Sequence, residues 1–247
     1  YVEGLDTEGR YDGIQGIGFA RMVYAGNEAK AEDMIARFYS DDIAIWPETD
    51  QDYRAAIVLL EPEDERNRAA IGFDMYSEPV RREAMADSFA TDTPRASGPV
   101  ELVQEITAQK QAGFLLYLPF KMDEGPNSAD GNLPLSGFIY APFRAGDLYQ
   151  AVMDDGPTVP VAIEAYDKEA PGTPLFRSST FDAALERSDL EVTREVDIAG
   201  RTWVLEMAPS AAFEKAEFDI TPFVVGSVAL LLAVALALAA QWQIKAL

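Results

Sequence analysis

The stretch FVVGSVALLLAVALALAA, residues 223–240, holds no charged side chain. No other feature of the chain limits its architecture so sharply. As a helix, these residues reach about 27 Å, close to the ~30 Å of a bilayer's hydrocarbon core. A transmembrane helix over residues 222–241 is therefore expected. Pro222 stands where a first helical turn tolerates proline, and Trp242 follows at a depth where an indole is favoured. Asp219 flanks one side and Lys245 the other. Positive residues favour the cytoplasmic side, so residues 1–221 are expected outside the cytoplasm and 242–247 at the start of a cytoplasmic segment. A buried core helix would show a polar stripe, and this run has none. A lipid-anchor signal fits only loosely: PSAA at 209–212 precedes a greasy tail, but QWQIKAL follows it. Position and length exclude a signal peptide. The chain opens on Tyr1 rather than Met, and the expectation is an exterior region plus one span, cut from a longer protein.

The chain contains no histidine and no cysteine. Ser-His-Asp and Cys-His catalysis, thiolate zinc sites and disulfides are thereby excluded. Carboxylate acid–base pairs or carboxylate metal sites stay open. Against 42 acidic side chains stand 20 basic ones, a net charge of −22. Such a surface repels phosphates, which rules out nucleic acid as a partner and disfavours anionic lipid surfaces. The acidic group Glu61, Glu63, Asp64 and Glu65 reads as a solvated loop.

Along the chain, GIQGIGFARMV (13–23) is strand-compatible, with glycines that indicate tight packing or a bend. NEAKAEDMIARFY (27–39) places Ala31, Met34, Ile35, Phe38 and Tyr39 at helical spacing, with Asn27 as cap. DIAIWP (42–47) and YRAAIVLLEP (53–62) read as strands ended by proline, and GPVELVQEI (98–106) as a strand or strand–helix junction. GFLLYLPF (113–120) and GFIYAPF (137–143) share a Gly-Phe…Tyr-X-Pro-Phe pattern and flank a loop rich in Gly, Pro, Asn and Asp at 121–134. Two paired strands joined by a long hairpin are expected. AGDLYQAVMDDG (145–156) reads as a helix with Leu148, Ala151 and Val152 inward. VPVAIEAY (159–166), LEVTREVDI (190–198) and RTWVLEMAP (201–209) read as strands, the last two joined by an Ala-Gly hairpin turn. Strands outnumber helices without regular alternation, so the fold class is α+β with no forced parallel sheet.

One helix poses a question. Around residues 77–89, Ser77 reads as the cap, Glu78 suits the positive end and Pro79 fits the first turn. Ala84, Met85, Ser88 and Phe89 then share the buried side, and Arg81 falls in the middle of it. A guanidinium there needs a reason. The expectation is that it pairs with an anionic group, most simply a small carboxylate ligand. The bland alternative is an internal salt bridge to Asp74, Glu61 or Glu78, or a side chain that snorkels.

The stretches GIQGIGFARMV, IGFDMYSEPVRREAMADSFATDTPRASGPVELVQE, AGFLLYLPF and LSGFIYAPFRAGDL, in this order, resemble the CHASE domain. That domain is the extracytoplasmic sensor of bacterial receptor kinases and cyclases and of plant cytokinin receptors. The resemblance covers residues 13–148. It implies two PAS-like units of antiparallel sheet with flanking helices, one distal and one proximal to the membrane, with a ligand pocket in the distal unit. The boundaries expected are 1–145 for the distal unit, 146–212 for the proximal unit and 213–221 for a juxtamembrane connector. In cytokinin receptors an aspartate on this helix grips the hormone's adenine; aligned without gaps from Asp74, that position is Arg81. Ser97, Val103 and Tyr117 stand at other pocket positions of the family, and Pro119 matches it. An acceptor has become a fork of donors, which puts cytokinin recognition in doubt. The implied ligand-binding set is Arg81, Ser97, Val103, Tyr117, Pro119 and Tyr140.

The function this implies is small-molecule sensing outside the inner membrane, relayed through the membrane helix of a homodimer to a histidine kinase or nucleotide cyclase. No cofactor and no catalysis is expected within these residues. The competing readings are a passive membrane-anchored scaffold or adhesion module, and a hydrolase using a carboxylate pair.

Overall fold

The computed structural model describes residues 13–39, 43–108, 110–121, 136–154, 160–213 and 223–230. The ten strands among these are β1 (Ile17–Tyr24), β2 (Tyr53–Glu61), β3 (Arg95–Ala96), β4 (Val100–Glu101), β5 (Ala112–Phe120), β6 (Gly137–Arg144), β7 (Val161–Asp167), β8 (Pro174–Arg177), β9 (Val192–Ile198) and β10 (Arg201–Pro209). They form two sheets. The first runs β2-β1-β6-β5-β3, with β4 also on β5; the second runs β8-β7-β10-β9. Every ladder between these strands is antiparallel. The flanking helices are α1 (Ala29–Tyr39), α2 (Glu65–Arg68), α3 (Pro79–Thr91), α4 (Ala145–Asp154) and α5 (Phe181–Arg187).

The two Gly-Phe segments are neighbours, paired from Gly113↔Arg144 to Phe120↔Gly137. Their alternation decides what each sheet face carries. Leu115 and Tyr117 on β5, with Phe138 and Tyr140 on β6, enter the core that α3 covers. Phe114, Leu116 and Phe143 turn the other way and meet Ala145, Leu175 and Trp203 in a second cluster. One strand pair thus serves both cores. Phe114 stacks on Phe143 with centroids 4.8 Å apart, and Trp203 meets Phe114 edge-on at 4.8 Å.

Glycine is required where backbones approach this layer. Gly18 lies opposite Tyr140; a Cβ there would fall 2.5 Å from the Leu59 carbonyl oxygen and 2.6 Å from the Tyr140 ring. One clash partner is backbone, so neither neighbour yields cheaply. Gly18→Ala is expected to cost about 2 kcal/mol, as overpacking does, measured by urea denaturation. A change under about 0.5 kcal/mol would contradict this packing.

Several expectations are corrected. Residues 43–47 form no strand: Trp46 alone bridges Phe73, and Pro47 lacks the N–H a longer ladder requires. Within 98–106 only Val100–Glu101 is strand; Leu102 then turns inward to fill the space beside Gly113, which puts Val103 on a turn. Helix α1 starts at Ala29, not after Asn27, and buries Ala31, Ile35 and Tyr39 while Phe38 stays 53% exposed. On α4, Leu148 packs inward as expected, but Val152 is exposed and Tyr149 does the packing, stacked on Phe176 at 5.0 Å. The β9–β10 turn holds Ala199 and Gly200 at φ 47° and 87°, the geometry the Ala-Gly pair signals. In the acidic loop, Asp64 caps α2 by accepting from the Asn67 N–H, and Glu63 pairs with Arg68.

A buried ion network closes the joint between β6 and α4. The Glu105 carboxylate is wholly buried and accepts from Arg144 Nε at 2.7 Å, with Arg66 3.8 Å from its other oxygen; Arg144 also pairs with Asp147.

Of the expected membrane span, residues 223–230 are helical and exposed. No helix among the described residues is long and apolar enough to cross a membrane. Residues 222 and 231–241, the remainder of that span, lie outside the described residues, as do 122–135, most of the expected hairpin loop.

Candidate functional site

Helix α3 begins one residue later than Ser77 capping would place it. Asp74 takes the capping role first: it accepts from the Tyr76 N–H and starts a 3-10 turn over Met75–Ser77, while the Ser77 hydroxyl donates back to the Asp74 carbonyl at 2.6 Å. Glu78 then caps α3, its carboxylate accepting from the N–H groups of Val80 and Arg81. Pro79 follows as the first helical residue. This register puts Arg81 in the first turn, on the inner face, 3% exposed.

The guanidinium is held on two sides. It lies over the Phe73 ring, 5.0 Å from the centroid, and its Nη2 donates to the Glu101 carbonyl at 2.8 Å. Its Nε is buried without a hydrogen-bond partner. Among the described residues no carboxylate forms an ion pair with Arg81. Of the internal partners considered from sequence, Asp74 accepts from the Ala55 and Tyr76 N–H groups on Oδ1 and stands 3.7 Å from Arg54, its Oδ2 having no hydrogen bond; Glu78 caps the helix; and Glu61 ends β2 with no ion pair to Arg81.

Tyr117 and Tyr140 are register partners on β5 and β6, both wholly buried, with ring centroids 6.4 Å apart. Neither hydroxyl has a hydrogen-bond partner. Burial pushes both phenols far above their ordinary pKa, although the Arg81 charge pulls each the other way. Both therefore remain protonated donors at neutral pH. Three buried donor atoms, Arg81 Nε and the Tyr117 and Tyr140 hydroxyls, thus lack a hydrogen-bond partner, and the Arg81 charge acts on both phenols. A buried polar group left unpaired costs about 1–3 kcal/mol, so such clustering calls for a partner.

The structure brings Arg81, Tyr117 and Tyr140 together and gives the other candidate residues different roles. The Ser97 hydroxyl donates to the Gly98 carbonyl and accepts from the Leu115 N–H at 3.0 Å, so it is committed to the sheet. Val103 packs partly buried against the core. Pro119 is half-buried on β5 opposite Phe138. Ser88, the other polar residue of the inner face, lies 2.8 Å from the Tyr117 carbonyl and ties α3 to β5. Two elements of the site escaped the sequence reading, the Phe73 ring and the Glu101 carbonyl. Among the described residues, no group of three or more His, Cys, Asp or Glu side chains could hold a metal ion.

Removing orphan hydroxyls should relieve the resting protein. The Tyr117→Phe/Tyr140→Phe variant is expected to be about 1–2 kcal/mol more stable than the parent without ligand. The gain should widen above pH 10. The raised tyrosine pKa values contribute stability present below the unfolded value near 10; it is lost as pH rises from there toward the folded values. Urea melts at pH 7 and pH 11 check this, and a destabilised double variant would show that the hydroxyls are bonded.

A family model for the CHASE domain matches residues 1–176, and the chain belongs to that family. CHASE domains are extracytoplasmic sensory domains, not enzymes, so this chain is a sensory module. Among solved structures it is similar to an extracellular ligand binding receptor from Desulfohalobium retbaense DSM5692, at 14% identity and TM-score 0.47, covering 85% of this chain and 32% of that one. The chain therefore spans about a third of that receptor's length. It is also similar to the periplasmic sensory domain of the Campylobacter jejuni chemoreceptor Tlp1, at 9% identity and TM-score 0.41, over 85% of this chain and 76% of that one. A third is a methyl-accepting chemotaxis protein X, at 12% identity and TM-score 0.39, over 82% and 76%. No curated protein matches the sequence.

Proposed function

We propose that the chain senses a small carboxylate outside the cytoplasm, lodged at Arg81 between Tyr117 and Tyr140. The observation that carries this reading is the set of three buried donor atoms without hydrogen-bond partners, Arg81 Nε and the hydroxyls of Tyr117 and Tyr140. A carboxylate has the complementary inventory, acceptors only, and offers Arg81 the charge partner it lacks. Phe73, Val103 and Pro119 supply apolar walls, and Ser97 holds the strands that shape the seat. Residues 1–145 act as the membrane-distal PAS-like unit, 146–212 as the proximal one and 213–221 as the connector to a membrane helix at 222–241. The output beyond 247 is a histidine kinase or a diguanylate or adenylate cyclase, worked by a homodimer in the inner membrane. The ligand must prefer one of two arrangements of the receptor for any signal to pass. The test is a thermal-shift screen of small mono- and dicarboxylates against the whole chain in detergent. A saturable rise in melting temperature for a subset of acids is expected, and no response from any acid would sink the reading.

A further inference from the structure

We infer that the segment Arg95–Glu101 is a mechanical link between the Arg81 seat and the second sheet, so that displacing the guanidinium displaces the β9–β10 turn. This rests on the sensing role proposed for Arg81, which gives the link its use. One end of the segment is held by Arg81 itself, whose Nη2 donates to the Glu101 carbonyl at 2.8 Å. The middle is fixed to β5: the Ser97 N–H donates to the Leu115 carbonyl at 2.8 Å, and the Leu115 N–H returns a bond to the Ser97 hydroxyl. The other end is β3, the edge strand of the first sheet, and it reaches across to the second: the Ala96 N–H donates to the Ala199 carbonyl at 3.0 Å, inside the β9–β10 turn.

Close packing leaves the link little slack. A Cβ on Gly98 would lie 3.1 Å from Val80 Cγ1 and 3.5 Å from Arg201 Nη2, so Gly98 sits between the first turn of α3 and the first residue of β10. A Cβ on Gly200 would meet the Arg95 side chain. On the far side the anchor is firm. Arg201 pairs through Nε with the buried Asp167 carboxylate and through Nη2 with Glu169 at 2.9 Å. An anion that takes two donors of the Arg81 fork competes with the Glu101 carbonyl for Nη2. The carbonyl then loses that donor, and this end of the segment is left to the short β4–β5 ladder, Val100↔Gly113 and Glu101↔Ala112. Strand β10 runs on from Arg201 to Pro209, so a shift at the turn is aimed at the C-terminal end of the chain.

The test is hydrogen–deuterium exchange on the whole chain without ligand, comparing the parent with Arg81→Met, which keeps the volume and removes the donors. The Ala96 amide and the amides of the β9–β10 hairpin should exchange about fivefold faster, the factor that one net hydrogen bond carries. Amides of α5 should not change. Acceleration confined to α3 and residues 100–117, or spread evenly over the chain, would overturn the link. Should Arg81→Met not fold, Arg201→Gln reads the same link from the other side. The Leu115 amide should then exchange faster by a similar factor, and an unchanged rate overturns the link equally. A parallel titration with acetate judges the carboxylate reading alone. The exchange pattern without acetate binding keeps the link and removes acetate, the screen of mono- and dicarboxylates deciding the class; acetate binding without the pattern keeps that class and overturns the link.

Discussion

An Arg81→Gln variant is expected to bind its carboxylate on the order of a hundredfold more weakly than the parent, equivalent to about 3 kcal/mol. The size follows from burial. Arg81 is 3% exposed, so an anion paired with it is shielded from water and interacts far more strongly than at a surface. Glutamine keeps one donor but not the charge, and a carboxylate brought into that seat would be buried without a counter-ion. The resting protein should shift by about 1–2 kcal/mol, because the guanidinium gives up one bond to the Glu101 carbonyl and its place over the Phe73 ring, and no ion pair among the described residues. Loss of binding with the fold kept is the signature of a ligand seat. Binding that survives within threefold would place the ligand elsewhere. Arg81→Lys should fall between the two, since an ammonium keeps the charge but not the fork.

The second large effect concerns stability. Arg144→Met is expected to cost about 4 kcal/mol, because it leaves the wholly buried Glu105 carboxylate with only Arg66, 3.8 Å away. Much of that cost is the stranded charge rather than the worth of the pair. Adding Glu105→Gln should therefore recover more than half of the loss, and a double-mutant cycle by urea denaturation measures the coupling. The network sits where β6 passes into α4, so the single variant should also loosen the packing of Leu148 and Tyr149. A single-variant cost below about 1 kcal/mol would mean that water already reaches Glu105.

Much of this was legible in the residues because pattern and packing agree. The Gly-Phe…Pro-Phe segments carry alternation, bulk and close-approach glycines together, and they pair as adjacent strands. The Ala199-Gly200 turn is a local signal that needs no tertiary context. Arg81 was legible for a related reason: a cation on an apolar helix face contradicts the periodicity around it, and a contradiction is itself a signal. Local competition defeated other readings. Ser77 loses the cap because Asp74, three residues earlier, starts a turn that consumes it, and Glu78, a poor cap by preference, is left in position. Strand β8 and helix α5, of 4 and 7 residues, lie in a polar stretch too short to show a period. Ser97 was named from a pocket position of the resembled family, and its hydroxyl is bonded within the sheet. The Glu101 carbonyl could not be foreseen, since a backbone acceptor has no side-chain signature.

Charge, not shape, is what we propose brings a ligand to Arg81. The measurement that addresses it most directly is a calorimetric titration of the whole chain with matched pairs: an acid found in the thermal-shift screen and the primary amide of the same skeleton. Saturable binding of the acid is expected, with none of the amide at the same concentrations and loss of the acid's signal in Arg81→Gln. Equal binding of acid and amide, or acid binding that persists in Arg81→Gln, would contradict the proposal.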